Sequence, residues 1–135
     1  MDLDAPVASL MTPRPITTTP EATLTDLWTL MLNRGFHHVP VLAGGQLVGV
    51  LSRTDVMRAM GMQDPTLVDT GVILDTEHKV ADLMTRHVRA IEASVPLRRA
   101  VSLFAEGHLH CLPVLDGEKV IGMLTTTDVM RALLR

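Results

Sequence analysis

The stretch Gly49-Val50-Leu51-Ser52-Arg53-Thr54-Asp55-Val56-Met57-Arg58-Ala59 decides the fold, because it returns 73 positions later as Gly122-Met123-Leu124-Thr125-Thr126-Thr127-Asp128-Val129-Met130-Arg131-Ala132. Extended outward without a gap, the match lays Val7 to Met60 on Val80 to Leu133. Of these 54 pairs 20 are identical, including Leu10-Met11-Thr12 on Leu83-Met84-Thr85 and Pro40-Val41-Leu42 on Pro113-Val114-Leu115. That density of identities marks an internal repeat. Each copy is too short to sustain a comfortable core, so the two are expected to pack as one module with pseudo-twofold symmetry. The expected organisation is repeat 1 at 7–60, a partly structured linker at 61–79 carrying Gly61, Asp64-Pro65 and Gly71, and repeat 2 at 80–135.

Within a copy, period and punctuation set the elements. Pro15 to Pro20 is an extended stretch fenced by prolines, matched by Val88 to Ala93. Thr23 and Asp26 have capping-box spacing ahead of Leu24, Leu27, Trp28 and Met31, an apolar stripe at helical spacing that repeat 2 carries as Leu97, Ala100, Val101 and Phe104. Val39 to Leu42 and Leu47 to Leu51 are short apolar strands joined across Gly44-Gly45, and Asp116-Gly117 stands at the same turn in repeat 2. Ser52 to Met60 opens with capping residues and runs into Val56, Met57 and Met60, a helix with an apolar face. Each copy therefore reads β-α-β-β-α, an α+β pattern, behind a short helical lead-in at Pro6 to Met11.

Composition removes several function classes. The chain has 135 residues, 47% hydrophobic and 20% charged, in the range of a globular domain. Twelve Lys plus Arg stand against 15 Asp plus Glu, and the only aromatics are Trp28, Phe36 and Phe104, so neither a basic footprint nor stacking platforms point to nucleic acid. The single cysteine, Cys111, excludes an internal disulfide and fits a reducing compartment. The acidic opening MDLDAPVASLM lacks a signal-peptide pattern, and no apolar run approaches the ~20 residues of a membrane span, so a cytoplasmic protein without membrane contact is expected. No nucleophile-base-orienter set and no glycine-rich phosphate loop is present, so the chain is not expected to be an enzyme.

The order Leu-Met-Thr, a proline-bounded strand, His-x-hydrophobic-Pro-Val, then Gly-x-Leu-[Ser/Thr]-x-Thr-Asp resembles the CBS domain. Two such copies resemble a tandem CBS pair, or Bateman module. The resemblance implies a regulatory module, with nothing attached after Arg135, that binds AMP, ADP, ATP, S-adenosylmethionine or NAD in clefts between the copies. It requires no cofactor, usually forms a homodimer and reports to a protein partner. It also implies that Asp55 and Asp128 hold the ribose. A carboxylate at a strand-to-helix turn can accept two hydrogen bonds from a diol, while hydroxyls and free amides suit a phosphate. Ser52-x-x-Asp55 and Thr125-x-x-Asp128 are equally plain capping boxes, which need no ligand. By the same resemblance Ile16, Thr17, Arg53, Thr54, Val88, Ala90 and Thr127 join the candidate ligand contacts, with Ala90 where repeat 1 has Thr17. His37-His38 and His110-Cys111 occupy positions where adenylate-binding relatives often carry His then Arg. An arginine binds phosphate bidentately and neutral imidazole offers one donor, so this departure weakens the expectation of tight polyphosphate binding.

Two further readings accompany these. His37, His38, His110 and Cys111, with His108, would suit Zn²⁺ if they converged, although their spacing matches no zinc signature. Met57 and Met130 begin the last helix of each copy with Val56 and Val129, the face through which the resembled family commonly dimerises. A ligand-free dimerisation or interaction scaffold is the alternative function.

Overall fold

The computed structural model describes residues 1–59 and 78–135; Met60 and nearly all of the expected linker lie outside them. Helix α1 (Leu24–Arg34) starts where the Thr23 hydroxyl oxygen accepts the Asp26 N–H at 3.3 Å, and it stops at left-handed Gly35, whose N–H donates to the Met31 carbonyl at 2.8 Å. It buries the expected stripe of Leu24, Leu27, Trp28 and Met31. Strands β2 (His38–Ala43) and β3 (Gln46–Ser52) form an antiparallel hairpin. Its two-residue turn, Gly44-Gly45, has φ of 58° and 82°, a backbone conformation that side-chain-bearing residues adopt only at a cost. Helix α2 (Arg53–Ala59) follows directly.

Repeat 2 builds the same set: β4 (Ile91–Glu92), α4 (Leu97–Ala105), β5 (Cys111–Asp116), β6 (Lys119–Thr125) and α5 (Thr126–Leu133). One detail of the stripe differs from expectation. Helix α4 buries Leu97, Ala100 and Leu103 and leaves Val101 and Phe104 half-buried. Small Ala100, where repeat 1 has Leu27, accommodates a face turned towards Leu103.

The lead-ins are where the structure departs most from the sequence reading. The short helical lead-in expected over Pro6 to Met11 is a 3-10 helix of three residues, Val7–Ser9, while its counterpart α3 (Val80–Leu83) is α-helical. Each lead-in packs with the other repeat. Strand β1 (Thr12–Pro13) pairs antiparallel with β6, Thr12 opposite Met123, and Thr85 bridges Val50 in the same sense. Val7 is fully buried among Ile91, Leu97, Leu112, Val114 and Leu124, and Val80 among Leu24, Trp28, Val41, Leu51 and Val56. The compact units are accordingly Met1–Pro15 with Arg89–Arg135, and Ile16–Val88. The bridges repeat at the same 73-residue shift as the sequence: Pro6 with Pro96 answers Lys79 with Thr23, and Thr18 with Val41 answers Ile91 with Val114.

Two glycines permit this exchange. A Cβ on Gly122 would stand 3.0 Å from the Thr12 carbonyl oxygen, and one on Gly49 would stand 2.9 Å from that of Thr85, so neither strand position has room for a side chain. The stretch fenced by Pro15 and Pro20 is a ladder only at Thr18, which bridges Val41 in parallel. Each proline withholds a donor and fixes φ, leaving too little backbone for a longer strand.

Candidate functional site

The hairpins carry the candidate residues to one end of each unit. Because His38 lies opposite Ser52 in the β2–β3 register, the His37-His38 pair stands beside the turn into α2, and the Arg53 N–H donates to the His37 carbonyl at 2.8 Å. The other unit repeats this with Cys111 opposite Thr125 and the Thr126 N–H on the His110 carbonyl at 3.0 Å. The parallel bridge of Thr18 to Val41 leaves Ile16 and Thr17 on the His38 side of that bridge. Ala90, preceding β4, is disposed likewise towards the Cys111 end of β5. Val88 lies at the boundary between the two compact units. Thr17, His37, Thr54, His110 and Thr127 are exposed, and the other candidates are half-buried.

Both carboxylates sit in complete capping boxes. The Ser52 N–H donates to Asp55 Oδ2 at 3.1 Å while the Asp55 N–H donates to Ser52 Oγ at 3.0 Å. In repeat 2 the Thr125 N–H reaches Asp128 Oδ2 at 2.9 Å, and the Asp128 N–H reaches Thr125 Oγ1 at 3.1 Å. Each box uses one carboxylate oxygen. The outer oxygen of Asp55 lies 3.8 Å from Arg58 Nη1, a loose ion pair with a mostly exposed arginine. No ion pair joins Arg131 to Asp128 among the described residues. An oxygen has two lone pairs, so each turn keeps acceptor capacity beyond its cap.

Arg53 is placed as the sequence did not indicate. Its Nη2 donates to the Met31 carbonyl at 2.8 Å, at the end of α1, and its Nε is buried with no hydrogen-bond partner among the described residues. Residue 126, its counterpart, is threonine. The Arg58 pairing with Asp55 was also unforeseen, although an acidic residue three positions before an arginine on a helix is a legible signal. The expected alternative of a metal centre is not met: among the described residues no three of His, Cys, Asp and Glu come together to hold a metal ion. Nor is any helix among them long and apolar enough to cross a membrane.

Two β-α-β-β-α repeats, each with an aspartate closing the strand-to-helix turn, define an α+β fold of paired CBS domains, a Bateman module. The chain belongs to the CBS domain family, whose model matches residues 7–61 and 80–135. Among its relatives is the chloroplastic CBS domain-containing protein CBSX2 of Arabidopsis thaliana, 28% identical over 151 residues that cover 96% of this chain and 63% of the relative. A crystal structure of CBSX2 in complex with AMP is similar at 31% identity with a TM-score of 0.79, covering 96% of this chain and 97% of that one. An uncharacterized protein of Methanocaldococcus jannaschii is 27% identical over 119 residues, 86% of this chain and 42% of the relative. The fold is shared too with the CBS domain pair of protein MJ0100, solved in complex with 5′-methylthioadenosine and S-adenosyl-L-methionine, at 19% identity and a TM-score of 0.78, covering 95% of this chain and 94% of that one. The chain spans from 22% to 42% of the first curated relatives it matches.

Proposed function

We propose that the chain is a non-enzymatic regulatory module that senses an adenosine-containing ligand (AMP, ADP, ATP, S-adenosylmethionine or NAD) at the turns built on Asp55 and Asp128. The observation that carries this reading is the division of labour in each carboxylate: Oδ2 closes the cap and Oδ1 retains capacity to accept a ribose hydroxyl. The likeness to CBSX2, solved with AMP, supports the ligand class. His37-His38 and His110-Cys111, held beside those turns by the hairpin register, supply donors for the remainder of the ligand. The reading includes a homodimer and a regulated protein partner. Exposed Met130, Leu133 and Leu134 at the end of α5 support the former.

A second reading has its own support: every hydrogen bond of the two capping boxes is made within the protein, as a pure interaction scaffold requires. A thermal-shift panel of AMP, ADP, ATP, S-adenosylmethionine and NAD separates the two. Binding to the native state alone adds about 2.7 kcal/mol at a hundredfold excess over Kd. For a domain of this size that raises Tm by several degrees. An unchanged Tm with every compound at millimolar concentration hands the function to the scaffold.

A further inference from the structure

The two turns share their aspartate, their cap and their strand register, yet they differ in charge. Around Asp55 stand Arg53, His37 and His38; at the same places around Asp128 stand Thr126, His110 and Cys111. Arg53 brings a guanidinium where the second turn has a threonine, a planar positive fork that binds phosphate bidentately. Its present bonding is poor for a charge withdrawn from water. One Nη2 donor meets a neutral carbonyl that already accepts the Gly35 N–H, and the buried Nε–H meets no acceptor among the described residues. An orphaned donor on a half-buried cation is a standing cost that an anion can relieve. Residue 53 is also fixed near the other candidates, since its own N–H holds the His37 carbonyl and it lies between Ser52 and Asp55.

We infer that Arg53 sets the two turns apart in ligand class: the turn of repeat 1 selects a phosphate-bearing adenosyl ligand over its phosphate-free counterpart, and the turn of repeat 2 discriminates less between the two. This rests on the adenosyl-ligand reading above and specifies which turn selects for the phosphate. Arg53 gains a dianionic acceptor for its fork in the first turn, while Thr126 offers a single hydroxyl in the second.

Calorimetric titration of AMP and of adenosine into two single-site proteins tests the inference. Asp128→Ala leaves the repeat 1 turn, and Asp55→Ala leaves the repeat 2 turn. The ratio of AMP to adenosine affinity should be at least ~10-fold larger in the Asp128→Ala protein, the effect of about one charged hydrogen bond. Adding Arg53→Met should abolish that excess with adenosine affinity unchanged. Adding Thr126→Arg to the Asp55→Ala protein should create it, a gain that does not depend on how the Arg53 variant folds. Equal ratios in the two proteins overturn the inference, as does an Arg53→Met that weakens AMP and adenosine alike, the mark of a purely structural tie to α1. If neither compound binds the unmutated protein, the adenosyl reading falls and this inference with it.

Discussion

On the proposed reading Asp55 and Asp128 each do two jobs with two oxygens, a cap and a ribose contact, and the jobs are separable by chemistry. The inner oxygen accepts a backbone N–H at 3.1 or 2.9 Å and holds a helix start; the outer one faces a loose arginine in Asp55 and, among the described residues, no ion-pair partner in Asp128. Asparagine can keep the first job by turning its carbonyl inward, but its outward NH₂ donates and cannot accept a ribose hydroxyl. Asp128→Asn should therefore leave stability nearly unchanged in urea denaturation, whereas Asp128→Ala should lose about 1 kcal/mol with the cap. Equal stability for both variants would mean that the hydrogen bond to Thr125 contributes nothing. At this scale the sequence was informative about type and spacing, since Ser-x-x-Asp and Thr-x-x-Asp foretell the caps. It was silent on Arg53, whose partner is a backbone carbonyl 22 residues away. Every residue has a carbonyl, so no residue identity announces such a bond.

Among elements, the lead-ins carry the main lesson. The α1 stripe, the glycine turns and the two hairpins were legible because each is written within a dozen residues. The pairing of β1 with β6, and of Thr85 with Val50, was not. In a chain that repeats itself, a lead-in packed on its own copy and one packed on the other copy satisfy the same 73-residue pattern, so the pattern cannot choose between them. What fixes the exchange in space is close approach, with the Thr12 carbonyl 3.0 Å from where a Gly122 Cβ would lie. Gly122→Ala should force β1 or β6 to shift and cost about 1–3 kcal/mol, in line with other overpacking changes. Chemical denaturation checks this, and a neutral effect would show that β1 yields without loss.

At the scale of the whole molecule, the exchange gives each unit a core assembled from parts of both repeats. Val7 is fully buried with repeat 2, so deletion of Met1–Pro15 removes a core side chain and an edge strand from the unit that holds Asp128. Burial of one valine side chain contributes about 1.5–3 kcal/mol. Amide exchange in the truncated protein should rise first in β5 and β6 and leave β2 and β3 protected; the reverse order, or no change, would contradict the exchange of lead-ins. The proposed function rests at this scale on both turns engaging an adenosyl ligand through their aspartates. Calorimetric titration of AMP into the intact chain and into the Asp55→Asn/Asp128→Asn double variant tests that claim most directly. Saturable binding to the first and at least a ~10-fold loss in the second are expected, given about 1.5–3 kcal/mol for a hydrogen bond to a charged group, with Tm of the unliganded protein retained. No binding heat with the intact chain, or equal affinity in both proteins, would contradict it.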